Sequence, residues 1–291
     1  MAVIDYCTPL PDLQPLFVAA VALSFAVIAF FFMLGRAISR SDFEGWARKE
    51  LRETIVAVLI ALAIVGLAGI SCEGTRAVLS DYAPGYTQFT YSYEYLNVLT
   101  QQMGVPAIQS MWLISYTLKN AQFEIPLGKG ITWDPLSLTS TYASVIERMS
   151  GLLFTPFVGS LYAQLIFLQL SQAFAFTLLL PIGVVLRAIP LARKGGSFLI
   201  ALSFGLYVVL PLMYVVNYDI SKKVWPGFDE YMNQFNSAQP HTVLSAIFDR
   251  VWSPIQTVTK ILPQATVLAM LNLTIFFTFV EVFTKFIDDI G

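Results

Sequence analysis

Between Arg148 and Asp219 the chain has only three charged residues, Arg187, Arg193 and Lys194, and all three fall within the segment 187–196. Thirty-eight uncharged residues precede Arg187 (149–186), and 24 follow Lys194 (195–218). A helix needs roughly 20 apolar residues to cross about 30 Å of hydrocarbon. Two apolar arms joined by a compact basic turn therefore read as a transmembrane helical hairpin. Other charge-free windows of spanning length are 13–35, 54–72, 95–118 and 261–280. Charged residues make up 12% of the chain, against about 25% in a soluble domain. The expected fold class is an all-α, polytopic membrane bundle with five or six spans, set among membrane lipids in the cell membrane.

Lys and Arg concentrate in cytoplasmic loops, and this bias orients a membrane protein. Segment 36–53 holds five of them, Arg36, Arg40, Arg48, Lys49 and Arg52, and the hairpin tip holds three. The longer segments 71–148 and 217–262 hold four each. The dense clusters are thus expected inside. The N-terminus is then outside, the C-terminus is cytoplasmic, and Leu16–Leu34 is a retained first span. No signal-peptide pattern is expected, because the basic residues follow the first apolar run instead of preceding it.

Five segments follow from this path. Residues 1–72 carry a tail and two spans around a basic loop. Residues 73–148 form an extracytoplasmic or interfacial region, and 149–216 form a bent helix and the hairpin. Residues 217–262 form an outer loop, and 263–291 form the last span with a short tail.

The window 95–118 breaks the parity, and Gly104-Val105-Pro106 interrupts it. A re-entrant pair, an ordinary outer helix and a sixth crossing all fit. Phe89, Tyr91, Tyr93 and Tyr95 alternate with polar residues, which predicts a short strand or hairpin. At 1.5 Å per residue, 149–186 would reach roughly 57 Å, so a bend is expected near Pro156 and Gly159.

Cys7 and Cys72 are the only cysteines. Both fall outside on this path, so a disulfide between them and two unpaired thiols both fit. The lone histidine, His241, has no metal-ligand spacing around it, and no phosphate-binding loop or hydrolase motif occurs. No cofactor, metal or catalytic residue is expected. Span centres lack charge, which argues against an ion-coupled transporter. Neutral polar residues remain. Gln164, Gln169 and Gln172 share one arc of the fourth span, and Gln264 and Asn272 lie near or in the last. Such residues line pores or bond helix to helix. Pro181 and Pro211, one on each hairpin arm, are hinge candidates. Stripes of small residues at Ala22, Ala26 and Ala29, at Ala57 and Ala61, and at Ala201 and Gly205 suit close packing. Gly195-Gly196 reads as a turn signal.

The segment Pro181-Ile-Gly-Val-Val-Leu-Arg187-Ala-Ile-Pro190-Leu-Ala-Arg193-Lys-Gly-Gly196, with Ile200-Ala201, Gly205-Leu-Tyr207 and Pro211, resembles the hairpin of a family of archaeal polytopic proteins. That family is related to the TrbL-like inner-membrane component of type IV secretion and conjugation machinery, and includes the Ced-type DNA-exchange proteins. The resemblance covers roughly 40 residues. It implies a non-enzymatic, homo-oligomeric channel or platform that works with a cytoplasmic ATPase and a pilin and passes DNA or pilin subunits. By position, Arg187, Arg193 and Lys194 would then face the cytoplasmic machine or a phosphate backbone. Alternatively they serve as positive-inside anchors only. A small-molecule permease subunit and a purely structural subunit are the competing function classes.

Overall fold

The computed structural model describes residues 10–37, 41–78, 87–120, 125–128, 131–133, 137–224 and 256–290. The described residues are helical apart from one small antiparallel pair, β1 (Ile125–Gly128) and β2 (Ile131–Trp133). Among the described residues, five helical stretches are long and apolar enough to cross a membrane: Pro15–Ala37, Lys49–Ala77, Thr139–Arg187, Arg193–Val224 and Gln256–Ile290. The chain is accordingly a multi-pass membrane protein by length and composition of its helices. His241, Cys7 and most of 217–262, expected as an outer loop, lie outside the described residues.

The chain divides into two compact units. One comprises 1–93, 166–216 and 271–291, and the other 94–165 and 217–270.

In the first unit, α1 (Leu10–Ala37) and α2 (Ser41–Val78) pack against each other and against the hairpin. The buried face of α2 runs Glu50, Glu53, Thr54, Ala57, Ala61, Ile64 and Ala68. That is one helical stripe at a period of 3.6, and its alanines let a neighbouring backbone come close. The buried face of α1 is Ala20, Ser24 and Ile28. The expected stripe of Ala22, Ala26 and Ala29 is instead exposed, and on the inward face the Ser24 hydroxyl is satisfied within the helix by the Ala20 carbonyl at 2.9 Å.

The hairpin arms are α6 (Thr155–Phe174) continuing into α7 (Leu180–Arg187), and α8 (Arg193–Phe204) continuing into α9 (Leu210–Val224). A 3₁₀ turn, Pro190–Ala192, joins them. Gly195 and Gly196 do not form the turn. They lie inside α8, and a Cβ on Gly196 would sit 2.5 Å from the Arg187 backbone nitrogen and 2.7 Å from the Gly183 carbonyl oxygen. Across the interface a Cβ on Gly183 would meet the Ile200 backbone nitrogen at 3.0 Å. The two arms touch backbone to backbone, and only glycine permits that.

Among the described residues four helical segments widen into π turns: Val98–Gly104, Ser150–Phe154, Ala175–Leu179 and Gly205–Val209. Each is followed by one residue and then a proline, at Pro106, Pro156, Pro181 and Pro211. The residue before each proline donates its N–H five positions back: Val105 to Thr100, Thr155 to Ser150, Leu180 to Ala175 and Leu210 to Gly205. Proline has no N–H, and its ring collides with the carbonyl four residues earlier. Widening the turn moves that carbonyl aside and lets the helix continue.

Two sequence expectations change as a result. The alternating segment Phe89–Tyr95 is not a strand. It lies in α3 (Gln88–Asn97), where buried Gln88, Tyr91, Ser92, Tyr95 and Leu96 follow a helical period. The Gly104-Val105-Pro106 interruption does not split a re-entrant pair either. Helix continues from Gln88 through the π turn into α4 (Val105–Asn120). Near Pro156 and Gly159, where a bend is expected, the helix carries the π turn Ser150–Phe154 and continues.

In the second unit, α4 packs on α5 (Ser137–Met149). The Ser115 hydroxyl donates to the Ala143 carbonyl at 3.0 Å, and Lys119 pairs with Glu147. Ala107, Met111 and Val258 form a small core here, with Ile146 and Phe154 against it.

Candidate functional site: the hairpin tip and its polar supports

The hairpin tip is built in the first unit from charges that the apolar arms exclude. Arg187 ends α7 and is 1% exposed. Its Nη2 donates to the Ile287 carbonyl at 3.0 Å and its Nη1 to the Ser197 hydroxyl at 3.3 Å. Ile287 lies in the last turn of the C-terminal helix Val267–Ile290, where carbonyls have no helical partner. A guanidinium satisfies such a carbonyl and favours the negative helix end. Arg187 thereby ties α7 to α8 and to the end of the chain.

Arg193 opens α8 and faces α2. Its Nη2 lies 2.5 Å from Glu50 Oε1, and its Nη1 lies 4.0 Å from Glu53 Oε1. Glu50 and Glu53 are 1% and 4% exposed, so the pair is held largely away from water. Glu50 Oε2, Glu53 Oε2, Thr54 Oγ1, Arg187 Nε and Arg193 Nε are buried with no hydrogen-bond partner among the described residues. An ordered water makes about three bonds to such groups, and this cluster offers it both donors and acceptors.

The three tip cations therefore separate. Arg187 is enclosed, Arg193 is ion-paired, and only Lys194 is exposed. Leu191 beside it is completely exposed.

The hinge candidates are also supported. Pro211 deprives the Tyr207 carbonyl of its usual donor, the N–H four residues on. The Gln88 amide supplies one instead, with Nε2 2.8 Å from that oxygen. Gln88 Oε1 accepts from the Ser71 hydroxyl at 3.1 Å. One turn along α3, the Ser92 hydroxyl lies 2.8 Å from the Pro211 carbonyl and 2.7 Å from the Gln88 carbonyl. Phe89 packs edge-on against Tyr207 with centroids 5.0 Å apart. Gly205 faces Phe276 and Val280 of the C-terminal helix, leaving no room for a side chain.

The second unit holds a polar network around Gln264, which is 1% exposed. Its Oε1 accepts from the Tyr95 hydroxyl and from Asn217 Nδ2, each at 3.2 Å, and its Nε2 donates to Gln164 Oε1 at 3.0 Å. Tyr95 also pairs with the Ser221 hydroxyl at 3.0 Å. Burial pushes the Tyr95 phenol up to about 12, with the Ser221 bond pulling the other way. Helix 256–265 ends beside Gln264, at a turn on Thr266. Ser160 Oγ donates to the Ala265 carbonyl at 2.9 Å, and Gln164 Nε2 lies 3.4 Å from the Gln264 carbonyl. The network thus covers polar backbone at a helix interruption.

The sequence-predicted polar set splits accordingly. Gln164 and Gln264 meet each other directly. Asn272 is buried in the first unit, while Gln169 and Gln172 are exposed there. Cys72 is disulfide-bonded, and Cys7, the only other cysteine in the sequence, lies outside the described residues. Sequence reasoning missed Gln88, Ser92, Glu50 and Glu53 as supports. Their signal is spacing: Gln88 and Ser92 are i and i+4, and Glu50, Glu53 and Thr54 continue the alanine stripe of α2.

Comparison with family models, with curated proteins and with solved structures finds no match to this chain.

Proposed function

We propose that the chain is a non-enzymatic, homo-oligomeric channel or platform subunit of a conjugation-like DNA-transfer or pilus apparatus. The observation that carries this reading is the construction of the hairpin tip. Arg187 and Arg193 are both consumed in holding the tip to α2, to α8 and to the C-terminal helix. What the tip presents is Leu191 and Lys194, one apolar and one cationic residue, both exposed. An anchored knob of this kind suits docking of a cytoplasmic partner, the ATPase in this reading. The residues that carry the family resemblance are also those on which the hairpin depends, namely Pro181, Gly183, Arg187, Gly196, Gly205 and Pro211.

The test is affinity purification of the full chain from its native membranes. A secretion-type ATPase and a pilin are expected to co-purify, and Leu191→Asp with Lys194→Glu is expected to lose the ATPase while the chain stays folded. Uptake of a small solute by the chain alone in liposomes would replace this reading with a permease.

A further inference from the structure

Gln169 and Gln172 present a polarity conflict. Both are exposed, and neither makes a hydrogen bond within the described residues. At 100° per residue they lie about 60° apart on one side of α6. Ile166 and Leu170, about 60° and 100° round the helix from Gln169, are also exposed, at 52% and 47%. The span closes at Arg187. At 1.5 Å per residue, Gln172 stands about 22 Å and Gln169 about 27 Å above that end, inside a hydrocarbon layer of about 30 Å. Two primary amides would thus face lipid tails with every donor and acceptor unmet, an arrangement that membrane proteins avoid.

We infer that the Gln169–Gln172 face of α6 is a contact between two copies of this chain inside the membrane. A primary amide carries donors and an acceptor together, so the same face of a second copy offers what this one lacks. An anionic or cationic partner would satisfy only half of each amide. The apolar residues Ile166 and Leu170 supply the packing surface on the Gln169 side. Interhelical amide bonds of this type strengthen association of membrane helices. The inference rests on the spans alone and stands whether or not the chain moves DNA.

The experiment is single-molecule photobleaching of the full-length chain in lipid vesicles at fixed protein-to-lipid ratio. Wild type is expected to self-associate. The double variant Gln169→Leu, Gln172→Leu puts apolar groups where lipid would otherwise meet amides, so it keeps the fold, and its association is expected to weaken by roughly fivefold or more. Gln169→Asn with Gln172→Asn keeps the amides and is expected to retain association. A Gln172→Cys variant is expected to cross-link to itself on mild oxidation. A monomeric wild type, a leucine variant that associates as tightly as wild type, or a Gln172→Cys variant that gives no cross-linked dimer would each overturn the inference.

Discussion

Phe176 and Tyr207 stack face to face, with ring centroids 4.0 Å apart and planes 14° from parallel. Each ring comes from the π turn of a different hairpin arm, Ala175–Leu179 and Gly205–Val209. The two prolines that widen these turns, Pro181 and Pro211, lie on opposite arms. The two π turns are therefore not independent, because they meet through one aromatic contact. Gln88 fastens the same point from outside the hairpin by bonding the Tyr207 carbonyl. Bending one arm requires the stack to slip and that bond to open.

Gln88→Leu removes the surrogate donor and leaves the Tyr207 carbonyl buried without it. A buried, unsatisfied polar group costs about 1–3 kcal/mol. The expected result is a loss of that size in unfolding experiments in detergent. Gln88→Glu should behave like the leucine variant, since a carboxylate cannot donate.

The two tip glycines separate cleanly. At Gly195 an added Cβ meets nothing within 4 Å, whereas at Gly196 it strikes the Arg187 and Gly183 backbones. Gly195→Ala is therefore expected to be neutral or to gain up to about 1 kcal/mol from reduced chain entropy. Gly196→Ala is expected to cost more than that and to lower the thermal midpoint. A glycine pair in a simple turn would give two similar effects, so the comparison discriminates.

For the Arg193–Glu50 pair, removing one partner strands the other in a largely dry site. Arg193→Met and Glu50→Ala are each expected to cost about 3 kcal/mol, the lower end for a broken buried pair. The double variant should cost clearly less than their sum, and a double-mutant cycle measures the difference. Lys194→Ala, at an exposed position, should stay within about 0.5 kcal/mol of wild type.

The five long apolar helices were legible because spans exclude charge, and a charge count finds windows of spanning length directly. Which face a neutral residue presents was not legible from windows. A charge count says nothing of where Glu50 and Glu53 face, and they continue the stripe of Ala57 and Ala61 and so turn inward with it. The aromatics from Phe89 to Tyr95 carry strong strand propensity, and packing of Gln88, Ser92 and Tyr95 at helical spacing overrode it. Pro106 predicted a break, and a π turn absorbed it. Gly195 and Gly196 show the same limit in miniature. Both types of glycine look alike in sequence, and only the neighbouring arm decides which one is needed.

Tyr95 gives a pH test. Its phenol is held near 12, while an exposed tyrosine ionises near about 10. Above pH 10 the unfolded chain has lost this proton and the native chain keeps it, so the native state binds more protons and stability falls as pH rises. Below that range the contribution is flat. Tyr95→Phe removes it and should make the alkaline fall in unfolding free energy shallower, by at most about 1.4 kcal/mol per pH unit. An unchanged slope would mean that Tyr95 ionises as freely as an exposed phenol.

The central claim is that this chain serves a DNA-transfer apparatus, and the most direct measurement is the transfer frequency of a chromosomal marker between native cells. Cells lacking the chain are expected to lose transfer and to regain it with the wild-type chain, but not with Leu191→Asp, Lys194→Glu. Marker transfer at the wild-type frequency in cells lacking the chain would contradict the account.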